Sequence, residues 1–316
     1  MNQVKYQQIS DTLLMVRPAR FGFNHETAHN NAFQVNDVRL SVQEISEKAV
    51  EEFDEFVRRI RSHGIEVIVI QDTSVPPKTD AVFPNNWFST HSTGEVVLYP
   101  MYSEIRRLER REDIIDLLAE HFDSGNIDRS LLRHEEQDKF LEGTGSLILD
   151  RVNRLVYACY SDRTHPELLE GFCKAYGFEP VGFHATDDKG MPVYHTNVIM
   201  ALGEELAIIC LESIASEEER KHLTLTLESS GKQVIDISLD QVHKFVGNML
   251  EVRNSSGAKF MLMSQQAFKN LTPGQLSLIE KYDKVIHSPL ETIEKYGGGS
   301  ARCMLAEIFL RKKVNI

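Results

Sequence analysis

The 316-residue sequence predicts an α/β protein of about five ββαβ units, related by pseudo-fivefold symmetry and closing on themselves. Three observations carry this reading. A tight-turn signal recurs at near-constant spacing, apolar runs flank each turn, and a capped amphipathic helix with a short buried strand follows most hairpins.

The turns are His91-Ser-Thr-Gly-Glu95, Asp150-Arg-Val-Asn-Arg154, Gly203-Glu-Glu205 and Asn254-Ser-Ser-Gly-Ala258. Gly94, Asn153, Gly203 and Gly257 are thus 59, 50 and 54 residues apart. The runs around them, Val96–Tyr99, Leu147–Leu149, Leu155–Tyr160, Val198–Ala201 and Leu206–Leu211, read as hairpin strands. Ser41-Val-Gln-Glu44 opens a long helix that Gly64 can close, and Ser216-Glu-Glu-Glu219 opens another; both match the capping box. Further helices are expected over Ile105–Phe122, Pro166–Tyr176 and Gln265–Tyr282. Short strands are expected over Ile65–Ile70, Phe178–Phe183, Gln233–Ile237 and Lys284–His287.

Hydrophobic content of 41% and charged content of 26% belong to a core-forming globular chain. Length alone favours two domains, but no linker or composition break divides the chain, so one domain over residues 1–316 is expected. No apolar stretch approaches a membrane span, and residues 1–5 lack a secretory layout. A cytoplasmic protein is expected. A net charge of −12 argues against nucleic acid as a partner. Cys159, Cys173, Cys210 and Cys303 form no CxxC pair, and the histidines have no HExxH spacing. Neither a disulfide scaffold nor a metal site is expected. Gly143-Thr-Gly145 is no dinucleotide fingerprint, since a strand is expected after it, and there is no phosphate-binding Walker loop. No cofactor is implied.

The residues that precede each turn carry the chemistry. Asn85 and Asn86 lie nine and eight residues before Gly94, Glu142 lies 11 before Asn153, His195 eight before Gly203, and Asn248 nine before Gly257. Units related by rotation would bring these positions, and Cys303 after the glycine run Gly297–Gly299, to one central axis. A thiol, an imidazole and a carboxylate are the set nucleophilic catalysis requires. Each also has a plain structural reading: Cys303 as a small buried residue, His195 as a satisfied strand-end histidine, Glu142 as a partnered buried acid. Spacing does not choose between them.

Taken in order, Met15-Val-Arg-Pro18, Phe21-Gly-Phe-Asn-His-Glu-Thr27, Phe83-Pro-Asn-Asn-Trp-Phe-Ser-Thr-His91 and Leu141-Glu-Gly-Thr-Gly145 are distinctive. So are Ser161-Asp-Arg-Thr164, Tyr194-His-Thr-Asn197, Gly247-Asn-Met-Leu250 and Gly297-Gly-Gly-Ser-Ala-Arg-Cys303. Together they resemble the guanidino-group-modifying superfamily of penteins, five-bladed α/β propellers that include arginine deiminase, dimethylargininase and amidinotransferases. The resemblance is strongest to the branch of citrulline-utilisation hydrolases and amidinotransferase-related proteins.

The resemblance implies Cys303 as nucleophile, His195 as general acid/base and Glu142 as the carboxylate orienting histidine and substrate. It implies Arg163 as the grip on a substrate α-carboxylate, with Arg17 and Arg253 as further candidates, and Asn85, Asn86, Asn197 and Asn248 as substrate contacts. A nearby cation, His195 or a bound guanidinium, would favour the thiolate. Relatives acting on arginine carry aspartates where this chain has Asn86 and Asn197. Asparagine offers both a donor and an acceptor, which suits a neutral ureido group. The expected reaction is citrulline to ornithine, carbon dioxide and ammonia through an S-linked intermediate. An arginine deiminase or dihydrolase, an amidinotransferase and a non-catalytic ribosome-binding or regulatory pentein are the alternatives. The implied partner is a small guanidino or ureido amino acid, and a homo-oligomer is left open.

Overall fold

A computed structural model describes residues 6–28, 31, 33–35 and 40–313; residues 1–5, whose layout bore on secretion, lie outside them. The strands are β1 (Thr12–Arg17), β2 (Glu66–Gln71), β3 (Phe88–Thr90), β4 (Glu95–Leu98), β5 (Asn126–Asp128), β6 (Ile148–Asp150), β7 (Leu155–Cys159) and β8 (Glu179–Phe183). They continue with β9 (Met200–Leu202), β10 (Leu206–Ile209), β11 (Gln233–Asp236), β12 (Leu250–Arg253), β13 (Lys259–Ser264), β14 (Lys284–Ser288) and β15 (Ala306–Glu307).

These strands make five three-stranded sheets of one pattern: an antiparallel hairpin whose second strand pairs in parallel with the strand after the helix. Four sheets, β3-β4-β5, β6-β7-β8, β9-β10-β11 and β12-β13-β14, are continuous in sequence. The fifth joins the two ends of the chain. β15 pairs antiparallel with β1, Leu13 opposite Glu307 and Leu14 opposite Ala306, and β1 runs parallel to β2. The five ββαβ units expected from the turn spacing are therefore present, and the last closes onto the first.

Helices form the outer layer. Val42–Ser62 turns Ile45, Ala49, Phe53, Phe56, Val57 and Ile60 inward at i, i+4 and i+7 spacing onto Leu13, Met15, Val67 and Ile286. Its capping box at Ser41 and Glu44 is complete, and Gly64 follows its end at a φ of 77°. At Ser216 only half of the expected box forms. Ser216 caps Glu219 N, while the Glu219 carboxylate accepts from His184 N instead.

Two expected helices are broken. Gln265–Tyr282 divides into Gln265–Asn270 and Pro273–Glu280, because Pro273 cannot continue a helix and Thr272 caps the second with Gln275. Ile105–Phe122 divides into Glu104–Arg107 and Glu112–His121. At that break Arg106 and Glu109 are drawn inward as a buried ion pair at 2.9 Å, while Arg110 bonds Glu135. None of the described helices is long and apolar enough to cross a membrane.

Single helical turns precede the inner strands: Pro84–Asn86 before β3, Gly143–Ser146 before β6, Thr196–Ile199 before β9, where it replaces the start of the strand expected at Val198–Ala201, and Ala301–Met304 before β15. The turns of neighbouring units pack backbone on backbone. A Cβ on Gly143, whose φ is +48°, would lie 2.4 Å from Asn85 O. Such an approach leaves no room for side chains on extended strands.

Candidate active site

The site residues lie in or just before these turns: Asn86 and Cys303 within theirs, Glu142 and His195 as the residues that cap theirs. Cys303, His195, Asn86, Arg106, Arg163, Asp80, Tyr194 and Gly297–Gly299 line one small cavity, with Thr27, Asn31 and Phe83 completing its wall. Glu142, fully buried, lies behind the histidine: Glu142 Oε2 is 2.7 Å from His195 Nε2, and its Oε1 accepts from Tyr102 N at 2.9 Å. The chain thus brings together a thiol, an imidazole and a carboxylate separated by 53 residues in one pair and over a hundred in the other.

Charge decides the protonation of this group. Burial pushes the Glu142 carboxyl up, but Arg163, the His195 hydrogen bond and Arg106 outweigh it and hold it at about 2. Arg163 Nη1 is 3.7 Å away and Arg106 Nη1 3.9 Å. Burial pushes His195 down, only partly opposed by Glu142, to about 4. At neutral pH the pair is a carboxylate and a neutral imidazole, whose Nε2–H donates to Glu142 and whose Nδ1 carries the free lone pair. His195 is therefore not the cation expected to favour a thiolate. The permanent positive charges here are Arg106 and Arg163.

Gly145 makes the packing of this group feasible. A Cβ there would lie 2.3 Å from Asn86 Nδ2 and 2.9 Å from His195 Nδ1.

The asparagines separate into two sets. Asn86 Oδ1 accepts from Arg106 Nη1 at 2.9 Å, which fixes the amide orientation because arginine only donates. Its Nδ2 is buried without a hydrogen-bond partner among the described residues. Asn197 and Asn248 lie instead beneath the sulfur, with Nδ2 atoms 3.5 and 3.3 Å from Cys303 Sγ. Neither lines the cavity. Asn85 is wholly buried but does not line it either; its backbone oxygen is taken by Thr144 Oγ1.

Two expected arginines are elsewhere. Arg17 pairs with Asp54 at 2.8 Å and Gln71 at 3.0 Å, because the outer helix offers it a bidentate carboxylate at the end of β1. Arg253, at the end of β12, bonds Gln7 at 2.5 Å. Arg163 does line the cavity, its guanidinium 4.8 Å from the Tyr194 ring.

The sequence reading missed Arg106 and Asp80. Arg106 is buried against Glu109, Asn86 and Phe83 O, and Asp80 accepts from Asn24 Nδ2 at 2.7 Å. Burial raises the Asp80 carboxyl against the pull of Arg106. Asp80 lies six residues before Asn86, a spacing that could have marked it; Arg106, inside an amphipathic stretch, carried no signal. Among the described residues the one group of three carboxylates spaced for a metal is Glu204, Glu205 and Glu251, away from this cavity, and the Lys259 ammonium already sits among them.

Five ββαβ blades around an axis bearing such a site define the guanidino-group-modifying superfamily. Within it the chain belongs to the family described as N,N dimethylarginine dimethylhydrolase, eukaryotic, whose model matches residues 17–310. No curated protein matches the chain.

Among solved structures it is similar to ArgZ, an arginine dihydrolase from the ornithine-ammonia cycle in cyanobacteria, at 18% identity and a TM-score of 0.72. That match covers 93% of this chain but 40% of ArgZ, so the chain spans less than half the length of that protein. Against the N-terminal domain of ArgZ bound to substrate, identity is 18%, TM-score 0.72, and coverage 95% of this chain and 99% of the domain. A dimethylarginine dimethylaminohydrolase variant, in an adduct with S-methyl-L-thiocitrulline, matches at 12% identity and a TM-score of 0.61 over 94% of this chain and 99% of that one.

Proposed function

We infer that the chain, acting as one domain, is a Cys303-dependent hydrolase of the ureido carbon of an arginine-like amino acid, with citrulline as substrate. The observation that carries this is Asn86. Its Oδ1 is held by Arg106 while its Nδ2 has no partner among the described residues, so the group left open to a ligand is an N–H donor. A ureido oxygen complements that donor, whereas a guanidinium has only donors to offer. Three buried carboxylates, Glu142, Asp80 and Glu109, share the two guanidinium groups Arg106 and Arg163, so the reading rests on the hydrogen-bonding pattern at Asn86 and not on net charge.

In this reaction Cys303 Sγ attacks the ureido carbon, passing its proton to neutral His195. The protonated imidazole, stabilised by Glu142, gives the proton to the departing nitrogen, and ammonia leaves. His195 then deprotonates a water that attacks the S-linked intermediate, restoring the thiol. The carbamate released loses carbon dioxide to give ornithine. Splitting the displacement in two suits a carbon that is a poor electrophile. Arg163 would receive the substrate α-carboxylate, for which a planar guanidinium fork is suited.

The family match supports a second reading, hydrolysis of a methylated arginine, and the resemblance to ArgZ supports an arginine dihydrolase. Purified protein incubated separately with citrulline, arginine, N-succinylarginine and dimethylarginine, with ammonia, dimethylamine, citrulline and ornithine measured, separates these. Citrulline should turn over fastest. Faster conversion of arginine to citrulline than of citrulline itself overturns the ureido assignment. A yield raised by added glycine would instead indicate amidino transfer.

A further inference from the structure

We propose that Asn248 is a catalytic residue that holds the Cys303 thiolate, acting on the sulfur rather than on the substrate. This rests on Cys303 being the nucleophile. Asn248 comes from the fourth unit, yet its side chain ties together the functional turns of the third and fifth. Its Oδ1 accepts from Arg302 N at 3.0 Å, and its Nδ2 donates to Asn197 O at 2.7 Å. A backbone N–H only donates and a backbone carbonyl only accepts, so these two bonds fix which end of the amide is which. A flipped amide would lose both.

The fixed orientation leaves the second Nδ2 hydrogen directed at Cys303 Sγ, 3.3 Å away, while Oδ1 is the more distant atom at 3.7 Å. Asn248 and its surroundings are fully buried, so no water is needed to hold this geometry. A donor aimed at a sulfur gains most when the sulfur is ionised. Asn197 Nδ2, at 3.5 Å, adds a longer contact from a second direction. Because the His195 imidazole is neutral here, these amide hydrogens and the charges of Arg106 and Arg163 are what the site offers a thiolate. The same bracket sets the separation of the His195 and Cys303 turns.

Asn248→Ser removes the amide donor without adding the charge that an aspartate would bring beside the sulfur; Asn248→Ala serves if the serine variant does not fold, as judged by circular dichroism. Iodoacetamide labelling of Cys303, followed by mass spectrometry from pH 6 to 10 with Cys303→Ala as the control, needs no substrate. The expected result is labelling about ten- to a hundredfold slower at pH 7, with rates converging on those of the unaltered protein at high pH. A merely structural role would instead slow labelling equally at every pH, which overturns the proposal, as does an unchanged profile. A Cys303 that stays unlabelled in the unaltered protein up to pH 10 overturns the nucleophile assignment itself.

Discussion

Replacing Glu142 with glutamine tests the centre of the site, because one carboxylate serves both the imidazole and two guanidinium groups. The carboxyl is held at about 2 against an ordinary 4.5, and that difference corresponds to about 3 kcal/mol of folding stability. The sign follows from the direction of the shift. A depressed carboxylate contributes fully above its unfolded value and loses its contribution as pH falls toward its folded one. The glutamine amide must also turn its NH2 either toward Tyr102 N–H or toward Arg106 and Arg163, all of which are donors.

Glu142→Gln should therefore lower stability at pH 7 by about 3 kcal/mol, with the deficit shrinking to less than half by pH 3. Denaturant titration at a series of pH values measures it. The kcat should fall by roughly 10²–10⁴, since the imidazolium formed during turnover loses its counter-charge. A variant as stable as the parent at pH 7, a deficit that stays constant down to pH 3, or unchanged turnover would contradict this account of the carboxylate.

Further outcomes follow from the same geometry. Gly145→Ala forces a methyl into Asn86 Nδ2 and the His195 ring, and should cost about 1–3 kcal/mol and most of the activity, read by thermal melting and by ammonia release. Asn86→Asp keeps the bond to Arg106 but exchanges the free donor for a charged acceptor; the ratio of kcat/KM for arginine over citrulline should rise about tenfold or more. Glu294 accepts from Ser300 Oγ at 2.6 Å, just before the Cys303 turn, and burial raises its carboxyl to about 7. A raised carboxyl stabilises the fold below its ordinary value and loses that contribution as pH rises through 7. Glu294→Gln should therefore gain on the parent between pH 5 and 8, by up to about 3 kcal/mol in pH-dependent urea denaturation.

The five-unit plan was legible because it rests on local chemistry. Gly94 and Gly257 take positive φ at their turns, Ser41 and Glu44 close a capping box, and Pro166 and Gly177 bound a helix at the expected residues. Local chemistry also explains one miss, since Thr272-Pro-Gly-Gln275 was a start signal inside a stretch read as a single helix. The other misses were not local. Nothing in Ile105-Arg-Arg107 says that Arg106 turns inward, because an amphipathic period does not reveal which polar residue will meet a buried acid from another unit, here Glu142.

With the family resemblance singling out Cys303 among the four cysteines, the order of residues was enough for the repeat and for the positions of Glu142, His195 and Cys303 before or after its turns. It also set the presence of amides at Asn86 and Asn197. Folding in three dimensions was needed to place Arg17 and Arg253 outside, to bring Arg106 and Asp80 inside, and to turn Asn248 toward the sulfur. Those outcomes depend on distances between units and on the balance between desolvation and neighbouring charge, and neither exists until the ends of the chain pair through β15 and β1.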